Sequence, residues 1–242
     1  SENGKTNEDV SFSYDASKYY CEIYRDGELL RLDYSGNVGI KVDEASSGSY
    51  EIKLVNCTDE DNYRTYSFSI DCIAPDVVLE GVGDGKTTNG NVSVSWKDSD
   101  VASSTYTLNG GEEIPFTEGT VFDREGTYVI KVVDELGNET IRTFAIDKTV
   151  DYSVSTSDGK TIGGDATTSD DVIITANENA TISVVKDGKT YPYFFGDKLT
   201  EEGRYLITVE DACGNKNSFT IVIDKTVDVT ISACDGGIAN DS

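Results

Sequence analysis

One phrase recurs along this chain in a fixed order and sets what it can fold into. "SFSIDCIAPDV" (67–77), "TFAIDKTVDY" (143–152) and "TIVIDKTVDV" (220–229) align on Asp71, Asp147 and Asp224, at spacings of 76 and 77 residues. Upstream of each lies a Gly-x-Tyr-x-Ile element: "SSGSYEIKLVN" (46–56), "REGTYVIKVVDELGN" (124–138) and "EEGRYLITVEDACGN" (201–215). Before that comes a pair of strand-like runs around a two-residue turn, Asp26-Gly27, Asn109-Gly110 or Asp187-Gly188. These dipeptides tolerate the positive φ of tight hairpin turns. A period of this length means an array of similar units, each with its own core.

Within a unit the apolar period is two. "NVSVSW", "DVIIT", "TYVIKVV" and "RYLITVE" alternate β-branched or aromatic residues with polar ones, between clusters of Gly, Asp, Asn and Ser. That is the signature of short half-buried strands. No stretch carries a sustained 3.6 period with helix caps. About seven strands per unit predict an all-β chain of small sandwiches; propeller blades would be shorter and more numerous. Tyr50, Tyr128 and Tyr205 stand two residues before Ile52, Ile130 and Ile207. This is the offset of the tyrosine corner in immunoglobulin-like sandwiches, with isoleucine at the place of the second core cysteine. The "DELGN" and "DACGN" segments read as turns in which Asp134 and Asp211 accept local backbone hydrogen bonds and Gly137 and Gly214 take positive φ.

The tripeptide Gly-Lys-Thr ends "NGKT" (3–6), "GDGKT" (83–87) and "DGKT" (158–161). A phosphate-binding loop needs a glycine five residues earlier and a helix to follow. Glu80 and Val154 hold those places in the second and third copies, and strands follow, so the tripeptide is repeat punctuation. Histidine is absent, which removes imidazole-based acid–base chemistry, Ser-His-Asp triads and HExxH zinc sites. The carboxylate pairs Glu112-Glu113 and Asp98/Asp100 fall on loops where no cleft is expected, so no catalytic residue is assigned. The net charge of −25, spread over all repeats, argues against nucleic-acid or anionic-membrane partners. No cofactor is expected. Calcium is the cation such an acidic surface would take, although no DxDxDG loop is present. No segment has the roughly 20 apolar residues of a membrane helix. The chain holds no methionine, even at position 1, and reads as a piece of a longer protein with any export signal or anchor elsewhere.

"FTEGTVFDREGTYVIKVVDELGNETIRTFAIDKT" (116–149) and "GRYLITVEDACGNKNSFTIVIDKTVDVTISACDGG" (203–237) resemble the tandem bacterial Ig-like repeats of Gram-positive cell-surface proteins. The resemblance covers residues 74–225 well and 1–73 less well, where "IDCIAPDV" and "NCTDEDN" replace the repeated phrases. It implies tandem immunoglobulin-like β-sandwiches arranged as an elongated rod. The units are 1–73 (without its first strand), 74–148 and 149–225. Residues 226–242 would be the first strand and turn of a further repeat, unpaired or paired with a neighbouring molecule. It also implies export to the cell surface or wall, and a non-enzymatic stalk displaying adhesive or other distal domains of the same longer chain. Two other roles stay open. One is an adhesin module that binds a host glycan or matrix protein through loops of the first domain. The other is an accessory region of a secreted carbohydrate-active enzyme. The family also knows Lys–Asn and Lys–Asp crosslinks, but Lys53 and Lys131 alternate with inward positions and should face outward.

Five cysteines (21, 57, 72, 213, 234) form no paired framework. On an Ig topology Cys21 and Cys57 fall at the same end of adjacent strands and form the candidate disulfide; Cys72, Cys213 and Cys234 are expected as free thiols. Trp96, the only tryptophan, is expected to pack near a sandwich rim. The candidate ligand patch is Tyr19, Tyr20 and Tyr24 in "SKYYCEIY", because the first unit also has the longest segment after its tyrosine-corner strand.

Overall fold

The structure, a computed structural model, describes residues 4–226. The first repeat contributes β1 (Lys5–Thr6), β2 (Val10–Ser13), β3 (Tyr19–Arg25), β4 (Glu28–Asp33), β5 (Asn37–Ile40), β6 (Gly48–Asn56) and β7 (Asp59–Ile70). The second contributes β8 (Val77–Glu80), β9 (Lys86–Thr88), β10 (Val92–Trp96), β11 (Val101–Leu108), β12 (Ile114–Pro115), β13 (Val121–Phe122), β14 (Gly126–Asp134) and β15 (Glu139–Ile146). The third contributes β16 (Tyr152–Thr156), β17 (Thr167–Thr168), β18 (Val172–Ala176), β19 (Ala180–Lys186), β20 (Lys189–Tyr191), β21 (Lys198–Leu199), β22 (Gly203–Asp211) and β23 (Lys216–Ile223). One 3-10 turn, Glu44–Ser46, precedes β6. By compactness the chain forms two units, Ser1–Ile146 and Asp147–Ser242, the first of which holds the first two repeats.

Each repeat has a five-stranded sheet, in the orders β1-β7-β6-β3-β4, β12-β11-β14-β15-β9 and β17-β23-β22-β19-β20. A smaller sheet faces it: β13-β10-β8 in the second repeat, β16-β18-β21 in the third, but only β2-β5 in the first. The short strands β1, β9 and β17 pair parallel to the last strand of their repeat, while the other ladders are antiparallel. This is the immunoglobulin-like sandwich, three times in tandem.

Alternation does the sorting. Along β14, Tyr128, Ile130 and Val132 are buried while their neighbours are partly exposed; Tyr205, Ile207 and Val209 repeat this along β22. Three separate apolar clusters result, centred on Ile23 and Ile52, on Ile130 and Phe144, and on Ile207 and Ile221. Fully burying such side chains stabilises each sandwich by about 1.5–3 kcal/mol per residue.

The Gly-Lys-Thr tripeptides lead into turns and edge strands. In the first two copies Lys5-Thr6 and Lys86-Thr87 belong to β1 and β9. In the third, Thr161 bridges back to Ser155 and the parallel edge strand is delayed to Thr167–Thr168, so this copy closes a turn next to β16. Residues 227–242, expected as the start of a further repeat, lie outside the described residues.

Candidate functional site

Two local devices hold each sandwich in shape and account for the repeated motifs. In the first, the Tyr50 hydroxyl donates to the Ser46 carbonyl (2.8 Å), Tyr128 to Arg124 (2.8 Å) and Tyr205 to Glu201 (2.7 Å). The glycine two residues before each tyrosine is set by the hairpin turn beneath it. Asp26, Asn109 and Asp187 take φ of 53°, 52° and 48°, followed by Gly27, Gly110 and Gly188 at 83°, 69° and 80°. The Oδ1 of each accepts the amide of Ser49, Thr127 or Arg204. A Cβ on Gly48, Gly126 or Gly203 would come within 2.8 Å of that turn side chain.

The second device is the Asp-x-x-Gly-Asn turn. Asp134 Oδ1 accepts the amides of Leu136 and Asn138, and the Asn138 side chain donates to its Oδ2. The same amide group reaches the Asp71 carbonyl at 3.0 Å. Asp211 and Asn215 repeat the pattern, with Asn215 Nδ2 2.9 Å from the Asp147 carbonyl. The motif is thus a clamp on the recurrent Ile-Asp phrase, a role for Asn that sequence reading did not assign. Burial works to raise the Asp211 pKa, but the donors from Asn215 and the turn amides outweigh it and hold the carboxyl below its ordinary value. Asp147, Glu178 and Asp211 bring carboxylate oxygens within 4.8 Å of one another. Each already serves a local partner: Asn215 for Asp147 and Asp211, and the Asp151 amide for Glu178.

The candidate ligand face is elsewhere, on the outer side of the five-stranded sheet of the first repeat. Cys21 and Ile23 of β3 point into the core, which turns Tyr20, Glu22 and Tyr24 outward. Register places Val55 and Tyr63 beside Tyr20, and Lys53 and Thr65 beside Glu22. Tyr34, just past β4, stacks on Tyr20 with ring centroids 5.5 Å apart. The Lys53 ammonium sits 4.5 Å from the Tyr63 ring centre and 3.3 Å from Glu22 Oε2, which also accepts the Tyr24 hydroxyl at 2.8 Å. Burial disfavours the Lys53 charge, yet Glu22 more than offsets it and the pKa is raised. Tyr24 is pushed up mainly by its hydrogen bond to Glu22. Beside this cluster lies an open concavity of about 780 Å³, walled by Tyr24 and Tyr63 and floored by Ser49, Thr65, Ser67 and Ser69.

Two of the expected sites are corrected by this geometry. Tyr19 does not join Tyr20 and Tyr24: successive strand residues point to opposite faces, so Tyr19 lies on the side of Cys21 and Ile23. The aromatic group is therefore on a sheet face and not on loops, and its other members, Tyr34 and Tyr63, come from β4's end and β7. The Cys21–Cys57 disulfide is absent; both thiols are free, one buried and one exposed. Cys21 pairs with Leu54, whereas the Cys57 amide bonds the Lys18 carbonyl. Three residues of strand separate them, about 10 Å, well beyond the roughly 5.5–6 Å a disulfide spans. Burial, the largest influence, and the nearby Asp33 raise the Cys21 thiol to about 11.

The remaining candidates sit on structural duty or on the surface. Trp96 packs edge-on against Phe116 at 5.8 Å. Asp98 accepts the Asp76 amide and Asp100 pairs with Lys5 at 3.0 Å. Glu112 and Glu113 are exposed. Lys131 pairs with Glu139 at 2.9 Å on the outer face.

No protein-family model and no curated protein matches the chain. Among solved structures it is similar to a complex of Dpr2 Ig1-Ig2 with DIP-Theta Ig1-Ig3, at 10% identity and TM-score 0.39, covering 92% of this chain and 96% of that one. The I-band fragment I67-I69 of titin is similar at 9% identity and TM-score 0.37, covering 92% and 94%. SGBP-B of a Bacteroides ovatus mixed-linkage glucan utilization locus, described in complex with a mixed-linkage heptasaccharide, matches at 16% identity and TM-score 0.25, covering 92% and 65%. At these TM-scores the likenesses carry no argument about ligands or partners; the fold rests on the sheet orders themselves.

Proposed function

We propose that this chain is a non-enzymatic, exported array of Ig-like modules in which the second and third repeats act as spacer and the first carries a binding face for a saccharide chain. One comparison carries the reading. In the sheet register of the second repeat, the places of Tyr20, Tyr24 and Tyr63 are held by Ser103, Thr107 and Glu139. In the third they are held by Thr181, Val185 and Lys216. The same scaffold has no aromatic group there in either other copy, so folding does not require one. Tyrosine walls over a floor of hydroxyls suit a sugar, whose C–H faces pack on rings while its hydroxyls take hydrogen bonds. The Glu22–Lys53 pair supplies both an acceptor and a donor at the rim.

Leu29, Leu30 and Leu32 are exposed along β4, which favours a second reading, an adhesive contact with a matrix protein through the same repeat. Both are separated by binding the chain to panels of glycans and matrix proteins, with millimolar calcium and with EDTA. For a saccharide, Tyr24→Ala and Tyr63→Ala each weaken binding about tenfold or more while leaving the melting temperature of the fold within a few degrees. Binding kept by both variants but lost with Leu32→Ser moves the contact to β4 and to protein. A blank across both panels leaves the first repeat a spacer like the others.

A further inference from the structure

Glu51 of β6 sits between Tyr24 of β3 and Ser67 of β7 in the sheet of the first repeat. Its neighbours Tyr50 and Ile52 are buried in the core, so alternation puts the Glu51 side chain on the outer face with Tyr24 and Tyr63. At the same register place the second repeat has Val129, between Thr107 and Thr143. The third has Leu206, between Val185 and Thr220. The sandwich therefore folds without an acid here, and the first repeat alone carries one.

Two of the residues lining the concavity beside the tyrosines are charged, Glu51 and Lys53. Lys53 is already matched, by Glu22 Oε2 at 3.3 Å and by the Tyr63 ring. Arg25, the basic residue at the end of β3, donates to the Ala45 carbonyl. The Glu51 carboxylate takes no hydrogen bond and no ion pair among the described residues. The charge that the concavity leaves unmatched is thus negative. A carboxylate beside an aromatic ring attracts a cation and repels an anion, and the net charge of −25 acts in the same sense. A uronic or sialic acid would meet Glu51 at its own sign. A neutral hydroxyl could donate to it, but a protonated amine makes the stronger, charge-assisted bond.

Building on the saccharide reading above, we propose that the ligand is an amino sugar chain whose amines are free and protonated. Glu51 holds an ammonium group, the sugar faces pack on Tyr24 and Tyr63, and the ring hydroxyls meet Thr65, Ser67 and Ser69. N-acetylation removes the charge and with it the preference.

The test is calorimetric titration of the full chain with four probes: the trimers of glucosamine, N-acetylglucosamine and galacturonic acid, and trilysine. The glucosamine trimer is expected to bind about tenfold or more tighter than the N-acetylglucosamine trimer, with the galacturonic acid trimer weakest. Glu51→Gln should bring the glucosamine trimer down to the affinity of its N-acetyl counterpart and leave the latter unchanged. Tyr63→Ala should weaken both. Glu112→Gln, which removes an exposed acid from the second repeat, should alter neither. Equal affinity for the two trimers, or a preference that survives Glu51→Gln, overturns the proposal. If neutral sugars still bind through Tyr24 and Tyr63, the saccharide reading stands without it. No binding of any saccharide removes both. Trilysine bound as tightly as the glucosamine trimer, and lost in Glu51→Gln, gives the site to a basic protein and overturns the proposal as well.

Discussion

Gly126→Ala is the sharpest test of why the Gly-x-Tyr motif recurs. Gly126 has a φ of 139°, a region that side-chain-bearing residues rarely enter; holding alanine there costs about 1–3 kcal/mol. Its Cβ would also stand 2.6 Å from Leu108 Cδ1 and 2.8 Å from both amide atoms of Asn109, against an ordinary carbon contact of about 3.5–4 Å. The only give is in those side chains. If Asn109 swings away, its 2.8 Å bond from the Thr127 amide is lost, a net cost of about 0.5–1.5 kcal/mol. Together these predict a destabilisation of about 2–4 kcal/mol, or a melting temperature lower by about 10–25 °C for a unit of this size. Trp96 is the only tryptophan and packs on the same core, so its fluorescence during urea unfolding reports on the second repeat alone. Asn109→Gly keeps the positive φ and removes the obstructing amide, so Gly126→Ala should cost about 0.5–1.5 kcal/mol less in that background. A loss below about 1 kcal/mol, or equal losses in both backgrounds, would show that the glycine is not held by the turn and refute the reasoning.

Further outcomes follow from the same contacts. Tyr205→Phe deletes one part-buried hydroxyl bond to the Glu201 carbonyl; a loss of about 0.5–1.5 kcal/mol in denaturant unfolding of the third repeat is expected. Asp211 has a folded pKa below its unfolded value of about 3.8, so its contribution is present at neutral pH and is lost as pH falls through the folded value. Asp211→Asn should therefore flatten the acid limb of a stability–pH profile below about pH 4; an unchanged limb would remove this carboxylate from the clamp. In thiol labelling, exposed Cys57 is expected to react at once, whereas Cys21, fully buried and with its thiol raised to about 11, should react only on unfolding. Fast labelling of both would place Cys21 at the surface.

How much was legible in the sequence depended on how far each feature reaches along the chain. The hairpin turns and the tyrosine-to-carbonyl bonds span two and four residues, so their spacing alone carries them. The aromatic face was half legible. Tyr20 and Tyr24 are two strand steps apart and share a side by alternation, which also excludes Tyr19. Tyr63 joins them only through the β6–β7 register, where three residues, Glu60 to Asn62, bulge between the Val55↔Tyr63 and Asn56↔Asp59 pairs. Nothing in composition fixes that bulge. The Cys21–Cys57 expectation failed for the same reason, since being at one end of adjacent strands leaves an uncertainty of a few residues, and each is worth about 3.3 Å. The Asn138 and Asn215 clamps were hidden because their second acceptor lies 67 or 68 residues upstream.

Several departures of the first repeat fall around one hairpin, between β6 and β7, and bear on its separate role. Where the other copies carry Asp-x-x-Gly-Asn, this one turns through Cys57-Thr58, with Asn56 Oδ1 accepting the Thr58 amide. It thereby gives up the clamp built on Asp134 or Asp211. The strand that follows, β7, runs 12 residues against 8 in β15 and β23; the added residues, 59–62, extend the hairpin ahead of Tyr63, which keeps the place that Glu139 and Lys216 hold in the other copies. A repeat kept only for spacing would have no reason to exchange a satisfied carboxylate turn for an extended hairpin with exposed tyrosines, because the exchange gives up the clamp's hydrogen bonds and adds exposed apolar area. A graft of Asp134–Asn138 in place of residues 56–62 should test this directly. It is expected to stabilise the first repeat or leave it unchanged, and, because Tyr63 keeps its pairing with Val55, to leave ligand binding through Tyr24 and Tyr63 in place. Binding lost on the graft, with Tyr24 and Tyr63 intact, would move the contact from the sheet face to the extended hairpin.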